Sequence, residues 1–455
     1  MDPTGGCPHA ANAALLTRGA VAPVVLPGEV PAMAVLGHEA LREFLGHPDV
    51  AKGAEHFTAL REGLIPDGWP LKTFATVRGM TTADGADHRR LRSLVSKVFT
   101  ARRVEALRPG IERLTEELLD GLADAAGTDA GRDGAVDLRA RFALPLPMSV
   151  ISELLGVDAE FRDRLHVLST QLVSTDIGPE EAMAANREMV AVLGAVVASR
   201  RARPGDDLTS ALIAVRAEDG TAADHGADTD VDADAGASTG TPTSGDRSVG
   251  ADRSNGSDRS NGADRSDRSD RLSESELIGT LLLMIIAGHE TTLNLITNAV
   301  RALCAHRDQL ELLLEGRADW ADAVEETLRW DSPVSYFPFR YPTRDLTVDG
   351  TLIPRGTPVL AGYSAAGRDP SAHGPDAGRF DLARRPSSAM TRHLSLGHGV
   401  HYCLGAPLAR METTIALRQL FTRFPGLKVA VTEEELPRQR SFVGNGVREL
   451  PVVLE

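Results

Sequence analysis

Cys403 sits in the run Leu394-Ser395-Leu396-Gly397-His398-Gly399-Val400-His401-Tyr402-Cys403-Leu404-Gly405, among three glycines and two residues after His401. A run of helical character, Ala406-Pro407-Leu408-Ala409-Arg410-Met411-Glu412, follows at once. Glycine reaches backbone conformations that strain other residues, and it lets the chain come close to a flat ligand. A cysteine just before a helix N-terminus has its thiolate favoured by the helix dipole and by free N–H groups. The chemistry on offer is a permanent thiolate–metal bond. The plain alternative is a glycine-rich turn around a buried free cysteine.

A second constellation, Ala287-Gly288-His289-Glu290-Thr291-Thr292, interrupts an apolar run that reads as a long helix. Glycine, an acid and a hydroxyl pair suit mid-helix poorly, and such a local violation marks a site. Gly288 permits close approach of a ligand or a local opening of the helix ladder. Glu290 beside Thr291 is an acid–alcohol pair suited to proton delivery. The competing reading is a kink whose threonine bonds its own backbone. Glu326 and Arg329 stand one helical turn apart, where they can pair. His88 and Arg92 share a helix face, and Arg340 follows in Phe337-Pro338-Phe339-Arg340. Taken singly, each of these, like His401, reads as an ordinary surface charge.

The order Gly-x-Gly-x-His-x-Cys-x-Gly resembles the haem-binding loop of the cytochrome P450 family, with Leu396 where that family usually carries an aromatic. The resemblance makes Cys403 the iron ligand. It makes Glu290 and Thr291 the groups that manage protons during dioxygen activation, and it places His88, Arg92, Ala287, Gly288, Arg340, Gly397, His401 and Gly405 against the haem. Arg379 in Gly378-Arg379-Phe380 matches the arginine that completes the family's Glu-x-x-Arg network, a structural rather than catalytic feature. Lys97, Arg102, Arg103 and Arg108 match the face where the family docks acidic ferredoxins, with a plain solvated helix face as the alternative.

The function so implied is a haem b monooxygenase that hydroxylates a hydrophobic small molecule, using electrons from NAD(P)H through an external ferredoxin and its reductase. The segments Arg340-Tyr341, Gly362 to Arg368 and His398 to His401 resemble an actinobacterial group that oxidises steroids, macrolides and other polycyclic natural products. One alternative is oxidative C–C or C–N coupling, for instance on cyclic dipeptides. Another, outside enzymes, is a haem-binding sensor or electron carrier, which would have no need of Glu290 and Thr291. The loop from Ile65 to Met80 and Val334-Ser335-Tyr336-Phe337 are expected to line an apolar substrate pocket.

These residues need helices to hold them. Apolar residues at three- and four-residue spacing predict helices over Arg89 to Gly110 and Ile111 to Leu122. Ser273-Glu274-Ser275-Glu276 is an N-terminal cap for a helix through Leu277–Ala302, and Ala321 to Trp330 predicts another, stopped before Asp331-Ser332-Pro333. Between Val334 and Tyr363, short β-like runs such as Leu346-Thr347-Val348 and Pro358-Val359-Leu360 alternate with turn residues. Ala32 to Leu36 and Glu449 to Leu454 are candidates for the same small sheet. The expectation is a mainly α protein with a minor β region: the cytochrome P450 fold, with a long central helix over a haem and small β-sheets.

The chain is read as a flexible N-terminus over 1–20 and a single domain over 21–455. Residues 220–271 form an insert poor in large apolar side chains, which predicts disorder. Its second half repeats Asp-Arg-Ser from Asp246, Asp252, Asp258, Asp264 and Asp267. Thirteen acids against six arginines between Glu218 and Arg271 supply much of the net charge of −15. The remainder is only mildly acidic, which argues against nucleic-acid binding. Three scattered cysteines, Cys7, Cys304 and Cys403, imply no disulfide framework and fit a reducing cytoplasm. The first residues lack the basic and apolar regions of a signal peptide, and the apolar run Leu277 to Gly288 is too short to span a bilayer. A monomer with no membrane attachment is expected.

Overall fold

A computed structural model of the chain describes residues 7–66, 68–69, 71–128, 134–173, 177–216, 270–384 and 393–455. The insert expected over 220–271 lies outside them, apart from its last two residues. The helices that matter here are α1 (Pro8–Leu16), α2 (Gly85–Val98), α3 (Arg108–Thr128), α4 (Pro145–Leu155), α5 (Arg162–Val173), α6 (Pro179–Ala202), α7 (Glu274–Ala305), α8 (Trp320–Trp330) and α9 (Ala406–Arg423).

Helix α7 is the axis of the fold, packing on α4, α5, α6, α8 and α9. It starts with the expected capping box: the Ser273 hydroxyl accepts from Glu276 N (3.3 Å), and the Glu276 carboxylate accepts from Ser273 N (2.8 Å). Its C-terminal half is nearly all buried, from Leu293 to Leu303. By length and composition α6 and α7 would each span a bilayer; here both pack within the helical assembly.

The helix expected from Arg89 to Gly110 is broken. Helix α2 ends at Val98, and Thr100 caps a separate short helix, Ala101–Ala106, by accepting from Arg103 N at 3.2 Å. A hydroxyl at such a position competes with helix continuation by offering the next turn a cap. Part of the N-terminal segment, Pro8–Leu16, is helical. In α1, Asn12 is buried and donates to the Ser364 hydroxyl at 2.8 Å, while His9 contacts Asp331 at 2.8 Å.

Among the described residues the strands form three small sheets, and the runs from Ala32 to Leu36 and from Glu449 to Leu454, expected in one sheet, fall in different ones. β1 (Val21–Leu26), β2 (Val30–Val35), β3 (Val50–Ala51), β5 (Tyr336–Pro342) and β8 (Val359–Gly362) make a five-stranded sheet in the order β1-β2-β8-β5-β3. β4 (Val136–Asp137), β9 (Lys428–Val429) and β10 (Pro451–Val453) make a second, with β10 central, and β6 (Leu346–Val348) pairs β7 (Thr351–Ile353) as a hairpin. Strand β8 runs parallel to β2 and antiparallel to β5. The antiparallel pairing of β3 with β5 brings Arg340, near the end of β5, close to Lys52 just after β3.

Candidate active site

The Cys403 loop is shaped by its glycines. Gly397 (φ +79°) and Gly399 (φ +71°) occupy the left-handed region, and a Cβ on either would lie 3.3–3.4 Å from a carbonyl oxygen, of His401 and Leu45 respectively. Both strain and space therefore select glycine. Cys403 N donates to Leu396 O at 2.8 Å, closing the loop on itself. Helix α9 begins three residues later with Pro407 in its first turn, where no N–H is needed. A Cβ on Gly405 would lie 3.8 Å from Cys403 Sγ. Burial pushes the Cys403 thiol up, opposed by the Gly405 and Ala406 N–H groups and by the charges of Arg92 and Arg410. Leu396 packs on the main core where an aromatic would be usual.

Beside this loop lies a buried cluster of bases. His88, on the inner face of α2, has its ring 4.2 Å from that of His401, and its Nε2 has no partner. Arg92, one turn along, donates to Tyr402 O at 2.8 Å. Arg340 is buried with an unpartnered Nε and faces the Tyr363 hydroxyl. Lys52, absent from the sequence reading, is also buried. Its Nζ lies 3.5 Å from Pro338 O and 4.8 Å from the centre of the Phe337 ring. Burial lowers the pKa of Lys52, His88, Arg340 and His401 alike, and repulsion from neighbouring cations adds to it for Lys52, His88 and His401. Asp84 is the carboxylate that opposes this for Lys52, His88 and Arg340, yet it already accepts from the backbone N–H groups of Lys52 and Gly53 at 2.8 Å. The cluster is short of negative charge.

The middle of α7 behaves differently. Ala287 is exposed between the buried turns at Ile285 and His289, so the helix surface is open there. Thr291 donates to Ala287 O at 2.6 Å, the backbone bond of the competing reading. Glu290, although adjacent, is buried and turns elsewhere: it accepts from the Thr170 hydroxyl (2.7 Å) and from Gln439 Nε2 (3.5 Å). Thr170 and Gln439 come from α5 and from the segment before β10, so no local pattern could have flagged them. A Cβ on Gly288 would meet Ile151 Cδ1 of α4 at 3.1 Å. Its smallness lets two helices approach.

The supporting ionic network is intact with one change of member. Arg329 makes two 2.7 Å bonds to Glu326, and it donates to the carbonyls of Gly367, Ala377 and Arg379 at 2.7–2.8 Å. Arg379 is exposed and contributes that carbonyl alone; the second guanidinium near Glu326 is that of Arg384, at 3.7 Å. On the helices near the cysteine, Arg103 pairs with Asp206 (3.3 Å), Arg108 pairs with Glu105, and Lys97 donates to Arg216 O at 3.2 Å. Of the expected pocket, Trp69 is pinned to the β1–β2 turn through Pro27 O (2.8 Å), and Tyr336 hydrogen-bonds Asn12. Both belong to the core.

Comparison with known proteins bears on this arrangement. The chain is 36% identical over 456 residues to 2-hydroxy-5-methyl-1-naphthoate 7-hydroxylase of Streptomyces carzinostaticus, covering 100% of this chain and 97% of that one. It is 35% identical to vitamin D(3) 25-hydroxylase of Pseudonocardia autotrophica, covering 98% and 94%. The structure of CYP154C4 from Streptomyces sp. W2061 superposes with a TM-score of 0.83 at 39% identity, covering 99% and 96%. The cytochrome P450 family profile matches residues 321–448. The chain belongs to the cytochrome P450 family. It is a P450 monooxygenase, and the family's cofactor is haem. The residues present fit that group: a buried cationic cluster short of anions suits two propionates, and the glycine-lined cysteine suits a flat macrocycle.

Proposed function

We propose that this P450 hydroxylates an apolar, multi-ring natural product in the cytoplasm as a monomer, with electrons from NAD(P)H through a separate ferredoxin and its reductase. The observation that carries the substrate class is the exposed Ala287 surface in mid-α7, flanked by the half-buried apolar Leu283 and Ile286. The hydroxylase names of the relatives, on a naphthoate and on vitamin D(3), support a rigid ring system.

Bound haem supplies dioxygen activation, adding one oxygen atom to substrate carbon while the other leaves as water. In this reading the Cys403 thiolate ligates the iron, with Gly397 and Gly405 leaving room for the ring. Arg92, Arg340, His401 and His88 bind the propionates and fix the ring's orientation. The small Ala287 side chain keeps α7 thin on its open face, while Gly288 lets α4 pack close behind it. The Thr291 hydroxyl, released from Ala287 O by rotation about χ1, donates at that open face. The Glu290 carboxylate takes protons from water and hands them on, oriented by Thr170 and Gln439. Electrons arrive on the cysteine side, where a shallow cleft between the Ala101–Ala106 helix and the start of α9 carries Arg108 and Arg410. Both arginines are paired there, Arg108 with Glu105 of the same cleft and Arg410 with Glu325, so an acidic partner would compete with these carboxylates for them.

The test is a titration of the purified ferric protein with fused-ring aromatic acids, secosteroids and macrolides while the Soret band is followed, then turnover under labelled dioxygen. A saturable low-to-high-spin shift with a ring compound, followed by one labelled oxygen in the product, is expected. Product carrying no label would replace hydroxylation with coupling.

A further inference from the structure

Buried between α5 and α7 is a second group of ligating side chains. His166, His289 and Glu290 each offer one ligand atom, and these atoms lie within 4.8 Å of one another. The two imidazoles meet edge to face with ring centres 4.8 Å apart. His289 is fully buried, and its Nε2 has no hydrogen-bond partner; His166 Nδ1 is likewise unpartnered. An unpartnered polar nitrogen in such a place costs free energy that a ligand would recover. His289 Nδ1 lies 3.7 Å from Glu290 Oε1 and 3.3 Å from Ser169 Oγ.

We infer that His166, His289 and Glu290 form a binding site for a divalent metal ion of the zinc class, and that its occupancy inhibits turnover. Two imidazoles and one carboxylate are a donor set that zinc favours, with a fourth position left for water. Ligand distances of about 2.0–2.1 Å hold tetrahedral ligand atoms roughly 3.3 Å apart, so small side-chain rotations complete the site. Thr170, donating to Glu290 at 2.7 Å, already orients the carboxylate from outside, as supporting residues of metal sites do. The facing charges are Glu290, Arg139 and Asp163. Arg139 opposes a cation, and the two carboxylates outweigh it. The inhibitory half rests on the proton-relay reading of Glu290: a carboxylate held by a metal cannot pass protons to Thr291.

The experiment is equilibrium dialysis of the haem-loaded full chain against zinc, alongside His166→Phe, with metal counted by mass spectrometry and turnover measured on the same samples. His166→Phe keeps a ring in the packing, and its haem spectrum verifies folding. The wild type is expected to hold one tight equivalent more than the variant. Its coupled turnover should fall with that occupancy, while the turnover of His166→Phe stays insensitive to the same zinc concentration. Equal tight stoichiometry in the two proteins overturns the site. One extra equivalent with turnover unchanged keeps the site and overturns both inhibition and the relay role of Glu290. To separate folding failure from ligand loss, His166→Gln is run in parallel; a tight equivalent retained by both variants also overturns the site.

Discussion

The Cys403 loop and the middle of α7 hold their functional atoms by different means. In the loop the backbone does it: two glycines in the left-handed region, one closing hydrogen bond to Leu396 O and a helix starting three residues on. In α7 the backbone is regular helix, and distant side chains decide where Glu290 points while Thr291 bonds back to its own helix. Glu290 and Thr291 are neighbours in sequence, yet one faces Thr170 and Gln439 and the other bonds Ala287 O. A site built from backbone is recorded in contiguous residues, whereas a site built from side chains is completed by partners more than a hundred positions away.

If that contrast holds, the largest effects should come from the scaffold beneath the loop. Arg329→Ala leaves Glu326 buried without its bidentate partner and frees three carbonyls. Loss of one partner of a buried pair costs about 3–5 kcal/mol, so haem-loaded protein should not be recoverable; full haem occupancy in the purified variant would break the account. Arg340→Ala should be milder. It removes one charged donor, a loss of about 1.5–3 kcal/mol, seen as faster haem transfer to an acceptor apoprotein, with a smaller thermal shift.

A third change sharpens the loop side through pH. Glu412, on α9, is buried, one of its oxygens is unpartnered, and burial pushes its carboxyl up to about 8. Its folded pKa exceeds the unfolded value of about 4.3, so stability is fullest below about pH 4.3 and is lost as pH rises through about 8. Glu412→Gln should therefore stabilise at pH 8, by on the order of 1–3 kcal/mol, and the gain should vanish near pH 4 in chemical denaturation. A pH-independent difference would contradict it.

The smallest stability effect is expected on the α7 side. Thr291→Ala removes a back-bond to the helix's own carbonyl and should shift stability by no more than about 0.5 kcal/mol. Its consequence should appear in coupling, with NADH consumed and peroxide released in place of product. Undiminished coupling would favour the reading of Thr291 as a local kink residue.

Legibility in the sequence follows the same division. The haem-side motifs, the capped central helix and the Glu326–Arg329 pair were readable because each is short-range or helical in spacing. What escaped depended on contacts between distant elements. Lys52 joins the cationic cluster only because β3 pairs with β5. Arg384, not Arg379, approaches Glu326 because the turn after Phe380 brings Asp381 N to the same carboxylate at 2.9 Å. Gly288 answers to Ile151, and Asn12 gives the N-terminal helix a buried anchor. The break at Thr100 is hidden because the apolar spacing continues past it, although its hydroxyl caps the next turn.

The most direct measurement is the carbon monoxide difference spectrum of the reduced protein, wild type against Cys403→Ser. The account predicts a thiolate-type Soret band in the wild type and its loss in the variant. Neither other cysteine belongs to the loop: Cys7 lies at the exposed N-terminus, and Cys304, at the C-terminal end of α7, donates to Leu427 O at 3.5 Å. A thiolate-type band that persists in Cys403→Ser would contradict the assignment of the loop as the iron-binding element.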